Sequence, residues 1–272
     1  LAACLAGEIY AGTYAGTKEK IMAARRPLIA GNWKMYGRVA DLAQISATFE
    51  AVGAGAKAVD IVFCLPAQLI ALAAKDCPAS ALGGQDCAET AADAAQTGDI
   101  SAAMLADVGA GYVIVGHSER RAKRRDDNES VRLKAEAALA AGLQPIICVG
   151  ETAAERASGR AEAVVAGQVA ASLPTAEGMV SVAYEPVWAI GGDRTPTLEE
   201  IAAIHRVVRQ ELAKRYGPAA EAVRVLYGGS VNPKNARDIF AVEGVDGALV
   251  GRASLKSADF AALIMSHPRV AV

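Results

Sequence analysis

"GYVIVGHSERRAKRRDDNESVRLKAEAALAAGLQPIICVG", residues 111–150, carries two apolar runs, "GYVIVGH" (111–117) and "LQPIICVG" (143–150), on either side of a helical pattern. From Asp127 to Ala141, the residues Val131, Ala135, Ala138 and Leu139 recur at i, i+4, i+7 and i+8, which is one face of an α-helix. Gly142 stands where a helix C-terminal glycine belongs. The flanking runs are nearly continuous in Val and Ile instead of alternating, the mark of strands buried on both faces in a parallel sheet covered by helices. Strand, helix and strand in that order predict a βαβ unit.

Outward from this unit the same alternation continues in both directions. Upstream stand "PLIAGNW" (27–33), "VDIVFC" (59–64) and "SALGGQ" (80–85); downstream stand "MVSVAY" (179–184), "VRVLYGG" (223–229) and "GALVG" (247–251). Thr197 and Glu200 form a capping box ahead of Ile201, Ile204, Val208 and Leu212, and "YGP" (216–218) stops that helix. Eight strands with helices between them and no linker predict a single-domain α/β fold, a (β/α)8 barrel. A doubly wound open sheet fits less well, because no glycine fingerprint for a dinucleotide follows the first strand. Residues 1–21, "LAACLAGEIYAGTYAGTKEKI", have neither this alternation nor the basic start and cleavage site of a secretory signal. They are expected to lie outside the fold as an N-terminal extension, with residues 22–272 forming the barrel domain.

The chain has 272 residues, 53% of them apolar, and a net charge of −2. It holds no run approaching the roughly 18 apolar residues of a membrane span. The one basic cluster, Arg120, Arg121, Lys123, Arg124 and Arg125, is followed at once by Asp126, Asp127 and Glu129, a poor footprint for nucleic acid. Five cysteines (Cys4, Cys64, Cys77, Cys87, Cys148) show no CxxC spacing, and the expectation is buried reduced thiols in a cytoplasmic protein, with no metal site.

In such a barrel the chemistry lies at the C-terminal ends of the strands. Asn32 and Lys34 follow the first strand, His117 the fourth, Glu185 the sixth, "GGS" (228–230) the seventh and "GRAS" (251–254) the eighth. Closely spaced glycines let backbone N–H groups approach an anion, so Gly228, Gly229, Ser230, Gly251 and Arg252 are candidates for holding a phosphate. Glu185 suits a general base beside a carbonyl if desolvation raises its basicity. His117 opens "HSER", which reads as a first helical turn, where the dipole favours a neutral imidazole able to donate to a carbonyl oxygen. Lys34 would stabilise the resulting anion. Each residue alone has an ordinary structural explanation: a strand-end histidine often just bonds its neighbours, and a strand-end lysine is usually solvated. Their coincidence at one mouth is what points to a site. The segment from Glu185, with Pro186 and Trp188 at one end and Gly191, Gly192 and Pro196 at the other, has the composition of a lid between hinges.

With these motifs assembled, the chain resembles the triosephosphate isomerase family from about Arg26 to Leu263. The resemblance rests on "AGNWKM" (30–35), "GGQDC" (83–87), "TGDIS" (97–101), "VGHSERR" (115–121), "CVGE" (148–151), "AYEPVWAIG" (183–191), "YGGSV" (227–231) and "DGALVGRASL" (246–255). It implies a TIM barrel and the interconversion of dihydroxyacetone phosphate and D-glyceraldehyde 3-phosphate, a step of glycolysis and gluconeogenesis, without cofactor or metal. It makes Glu185 the base, His117 the electrophile, Lys34 the source of positive charge and Asn32 a substrate-orienting residue. Backbone N–H groups of Gly191, Ser230, Gly251 and Arg252 would hold the phosphate, and Glu119 matches a position beside the lysine. The resemblance also implies a homodimer interlocked through the 85–97 loop, with Thr97 reaching the partner's site. Three positions depart from the family pattern. Arg252 replaces a glycine, "GDR" (192–194) replaces the usual lid tip, and Pro196 lacks the N–H that would latch the lid to the Tyr227 hydroxyl, leaving Ser230 and the Asp193 backbone to carry more of that latch. An isomerase for a four-carbon sugar phosphate, a Schiff-base enzyme using Lys34 and a catalytically inert phosphate-binding protein are the competing interpretations.

Overall fold

A computed structural model of the chain describes residues 25–78, 81–175, 178–190 and 195–270. The expected extension at residues 1–21 lies outside the described residues.

Eight parallel strands close into a barrel in sequence order: β1 (Leu28–Asn32), β2 (Asp60–Cys64), β3 (Leu82–Gly84), β4 (Tyr112–Val115), β5 (Gln144–Val149), β6 (Ser181–Tyr184), β7 (Arg224–Tyr227) and β8 (Gly247–Val250). Each falls within a segment that the sequence assigns to a strand. Around them run α1 (Ala43–Val52), α2 (Ala67–Ala73), α3 (Ala102–Asp107), α4 (Ser118–Arg124), α5 (Asn128–Ala140), α6 (Ala153–Ala157), α7 (Ala161–Ser172), α8 (Leu198–Tyr216), α9 (Ala236–Phe240) and α10 (Ser257–Met265). The capping box of α8 forms as expected, with the Thr197 hydroxyl accepting from the Glu200 N–H and the Glu200 carboxylate accepting from the Thr197 N–H. On α5, Val131, Ala135 and Ala138 are buried as expected, but Leu139 is only partly so, and Lys134 is buried in addition. That lysine can leave water because two carboxylates receive it.

Strand alternation sorts the core into two layers. Leu28, Ala30, Val62, Cys64, Tyr112, Ile114, Ile146, Cys148, Ala183, Leu226 and Leu249 form the cluster inside the barrel. Their strand neighbours, among them Ile29, Phe63, Val113, Ile147, Val182 and Val225, belong to the layer between sheet and helices. This period of two explains the continuous apolar runs, since both faces are buried.

The same parity governs both ends of the barrel. At the N-terminal end Asp60, Tyr112, Gln144 and Arg224 are in register with the inward residues. The Arg224 guanidinium there donates to Asp60 at 2.7 Å, Gln144 at 3.0 Å and the Tyr112 hydroxyl at 3.3 Å. Arg26 holds the other Asp60 oxygen at 2.6 Å. At the C-terminal end the next inward positions are Asn32, Glu185, Gly228 and Gly251, so the repeat that builds the core also delivers residues to the mouth. Among the described residues no helix is long and apolar enough to cross a membrane. Cys64, Cys87 and Cys148 are buried thiols outside any disulfide, and burial pushes the Cys64 and Cys87 thiols up to about 12.

Candidate active site

Asn32, Lys34, His117 and Glu185 come together at the C-terminal mouth. Lys34 has φ +53°, a left-handed conformation that costs a side-chain-bearing residue about 1 kcal/mol or more. Asn32 supports it, its buried Oδ1 accepting the Lys34 N–H at 2.9 Å. The ammonium of Lys34 meets Glu119 at 2.8 Å, on the first turn of α4. Lys34 is therefore an ion-paired cation at the mouth and not the desolvated amine that Schiff-base chemistry prefers.

His117 is the N-cap of α4, and its Nδ1 accepts the Glu119 N–H at 3.2 Å. A ring nitrogen that accepts carries no proton, so in the neutral imidazole the proton sits on Nε2. Nε2 lies 2.9 Å from Glu185 Oε1, and Glu185 Oε2 accepts the Ser118 N–H at 2.9 Å. Glu185 is only 2% exposed, which answers whether it is surface or site.

This direct bond corrects two expectations about charge. Burial pushes Glu185 up, as anticipated, but His117, the Ser118 N–H and Lys34 outweigh it and hold the carboxyl below its ordinary range. Burial pushes His117 down, but the carboxylate of Glu185 outweighs that and leaves the imidazole above its ordinary value. The contact that sets both shifts joins residues 68 positions apart in the chain, which no local pattern marks. In this arrangement the carboxylate and the imidazole satisfy one another.

Glycines make room for that arrangement. A Cβ on Gly150 would lie 1.7 Å from the Glu185 carbonyl oxygen, and one on Gly228 would lie 2.9 Å from Glu185 Cγ. Gly228 thus has a packing duty as well as its place in the glycine loop. Gly150 stands within the "CVGE" motif, but nothing local in the sequence marks its close approach to residue 185.

Glu151, a site neighbour that residue-by-residue reasoning missed, is fully buried beneath the 187–190 segment. One of its oxygens accepts from Trp188 Nε1 at 2.7 Å, Arg156 at 3.0 Å and the Tyr184 hydroxyl at 3.2 Å. The Arg156 guanidinium also lies over the Trp188 ring, 4.6 Å from its centre. Among the described residues the buried Tyr227 hydroxyl has no hydrogen-bond partner.

For the phosphate candidates, a Cβ on Gly251 would lie 3.7 Å from Lys34 Cε, so the β8 loop and the lysine border the same space. Arg252 is exposed and opens a short 3-10 turn, Arg252–Ser254. Among the described residues only Lys34 and Arg125 combine a side chain with positive φ, so Arg252 fits without strain where the family pattern has glycine. Ser230 is exposed, its carbonyl accepting from Asn235. Gly191, Gly192 and Asp193 lie outside the described residues, and with them the expected lid tip. A cavity of about 380 Å³ opens beside Lys34 and His117, with Gln85, Ile100 and Met35 on its far wall. Among the described residues no group of three or more His, Cys, Asp or Glu could hold a metal ion.

A buried carboxylate and a neutral-tautomer histidine in contact, beside a lysine and a glycine loop, can move a proton between adjacent carbons of a small phosphorylated carbonyl compound. Comparison with known proteins agrees. The family model described as triosephosphate isomerase matches residues 27–267. The triosephosphate isomerase of Jannaschia sp. (strain CCS1) is 55% identical over 243 residues, covering 88% of this chain and 97% of that relative. The one from Afipia carboxidovorans is 52% identical over 247 residues, covering 89% and 98%. The crystal structure of triosephosphate isomerase from Bartonella henselae superimposes with a TM-score of 0.81 at 38% identity, covering 89% of this chain and 98% of that one. By its fold, its mouth and these likenesses, the chain belongs to the triosephosphate isomerase family and is an isomerase.

Proposed function

We propose that this isomerase interconverts dihydroxyacetone phosphate and D-glyceraldehyde 3-phosphate, with Glu185 moving the proton and His117 serving the oxygens. The observation that carries the reading is the 2.9 Å contact between the buried Glu185 carboxylate and His117 Nε2. A substrate whose carbonyl and hydroxyl oxygens take His117 Nε2–H would part this pair. Freed of His117 and still buried, Glu185 becomes a stronger base, because less then opposes the effect of desolvation. It takes a proton from carbon 1 of the ketose, and the electrons move into the enediolate. The hydroxyl proton passes from the oxygen on carbon 1 to the oxygen on carbon 2 by way of His117 Nε2, and the same carboxyl returns the carbon-bound proton to carbon 2. His117 donates to the oxygens as their charge grows, and the Lys34 ammonium lies close enough to stabilise it. Asn32 keeps Lys34 in place and orients the substrate. The phosphate is held by N–H groups of Gly191, Ser230, Gly251 and Arg252.

The protein acts as a homodimer in the cytoplasm, in glycolysis and gluconeogenesis. Exposed apolar side chains support the dimer: Met35 is 93% exposed, Val39 62%, Tyr36 56% and Met104 47%. Met35 and Ile100 line the cavity beside Lys34, which brings this apolar face up to the mouth. The 85–97 loop and its Thr97 supply the interlocking contact.

The test is conversion of dihydroxyacetone phosphate in D2O, followed by NMR and alongside a four-carbon sugar phosphate. Rapid conversion of the triose phosphate with deuterium appearing at carbon 2 of the aldehyde is expected. Preference for the four-carbon substrate, or no conversion of either, would overturn the proposal.

A further inference from the structure

The helix that serves the mouth lacks the usual means of staying put. α4 (Ser118–Arg124) delivers three site contacts from its first turn: His117 as N-cap, the Ser118 N–H to Glu185 and Glu119 to Lys34. Yet it is seven residues long and none of its side chains is buried. A helix this short has little stability of its own, and its neighbours normally hold it through an apolar face. Here there is no such face.

Two adjacent arginines stand in its place. Arg121 reaches inward: its Nε donates to the Gly116 carbonyl at 2.9 Å, and its Nη atoms donate to Asn128 Oδ1 at 2.8 Å, Ser172 Oγ at 3.1 Å and the Cys148 carbonyl at 3.1 Å. Gly116 is the residue before His117, and Cys148 is on β5. One guanidinium therefore fixes the turn into His117 against the neighbouring strand and the ends of α5 and α7. Arg120 reaches the other way, into a closed square of charges. It meets Asp86 at 2.6 Å and Asp126 at 3.1 Å, while Lys134 meets the same two carboxylates at 3.0 Å and 2.7 Å. Lys134 is 4% exposed and Asp126 8%, so the pair between them is shielded from water, while Arg120 and Asp86 lie at its partly exposed rim. Two cations each bonded to two anions leave no charge in the square uncompensated.

We infer that Arg121 and Arg120 are positioning residues for the proposed isomerisation, Arg121 through the Gly116 carbonyl and Arg120 through the Asp86–Lys134–Asp126 square. The basic cluster that is too diluted to bind nucleic acid is then explained in part, since two of its members fasten the catalytic turn. The inference rests on the proposed roles of His117 and Glu185. A guanidinium is suited to the task because its planar fork reaches several acceptors at once, which a lysine cannot do. Displacement of the turn by about 1 Å would carry Nε2–H and the Ser118 N–H off target, a change able to cost on the order of 10²-fold in rate.

The experiment compares Arg121→Gln, Arg121→Lys and Arg120→Met with the unaltered chain for kcat, KM, thermal unfolding and the 15N spectrum of labelled histidine. The chain has only three histidines, so the His117 ring signals are separable. In Arg121→Gln, kcat should fall about 10²-fold with KM changed less than about threefold, and the His117 Nε2 signal should shift or broaden. Arg121→Lys should recover part of the rate, and Arg120→Met should lose about tenfold. Folded variants with undiminished kcat and an unmoved His117 signal would overturn the inference, as would losses that merely track the folded fraction. If Arg121→Gln does not fold, Arg120→Met and Arg121→Lys decide by the same criteria. Failure of the unaltered chain to isomerise triose phosphate would instead sink the functional proposal, and the histidine spectrum would still report whether the arginines hold the turn.

Discussion

The two ends of the barrel are built from the same inward-facing register and carry charges of both signs, yet they are finished in opposite ways. At the N-terminal end Arg224, Asp60, Gln144 and Tyr112 bond to one another, and Arg26 closes the remaining side of Asp60. Substrate could gain nothing there, because each partner is already another fixed group of the fold. At the C-terminal end Glu185 is buried more deeply than Asp60, and its main partner is His117, a group with chemistry of its own, at the edge of a cavity. A buried charge with a permanent partner holds a fold together. When the partner can be exchanged for a ligand, the same cost of burial becomes available for catalysis.

Substitutions at each end should separate these properties. The largest effect belongs to Glu185→Gln, which keeps the shape and removes the base: kcat on D-glyceraldehyde 3-phosphate should fall about 10³-fold, while urea unfolding shows stability within about 1 kcal/mol of the original. Retention of a tenth or more of the rate would remove Glu185 from its role. Next comes Arg224→Met, which removes three hydrogen bonds at the closed end and leaves Asp60 with Arg26 as its cation. Stability should fall by about 3 kcal/mol in the same unfolding experiment, with kcat of the folded protein within about twofold. A large loss of kcat there would mean that the two ends are not separate.

The pH dependence of stability sharpens the contrast from a third place. His205, on α8, is fully buried, with Nδ1 on the Gly244 carbonyl at 3.0 Å and Nε2 without a partner among the described residues; burial pulls it down to about 4. A histidine whose folded value lies below its unfolded value near 6.5 takes up its proton first in the unfolded chain. Its contribution is whole above about pH 6.5 and is lost as the pH falls toward 4, by up to about 3 kcal/mol. Urea titrations at several pH values should show that decline, and His205→Asn should flatten it. The smallest expected effect is at Arg252, exposed at the rim. Arg252→Gly should raise KM for the phosphate about threefold and weaken its dependence on salt, leaving kcat nearly unchanged.

Much of the barrel was legible because its signals are local. Apolar runs such as "YVIV" and "PIICV" state strand and burial at once, and the capping box at Thr197 is written in neighbouring residues. Parity then carries the sequence to Asn32 and Glu185 at the mouth. Long-range contacts were not legible in this way. The bond between residues 117 and 185, the close approach of Gly150 to Glu185, the burial of Lys134 and the closed network around Arg224 each join elements far apart in the chain. A single sequence gives the residue types for such contacts but no distance. For that reason the sequence leads to Glu185 and His117 at the mouth but not to the direction in which each shifts the other's pKa.

The most direct test of the account is a double-mutant cycle joining Glu185→Gln and Arg224→Met, with kcat and unfolding free energy measured for all four proteins. The account predicts that the double variant has the activity of Glu185→Gln and the stability of Arg224→Met, additive to within about 0.5 kcal/mol, as befits sites that share no partner. A coupling well above about 1 kcal/mol in either quantity would contradict it, because chemistry and cohesion would then not be divided between the two ends of the barrel.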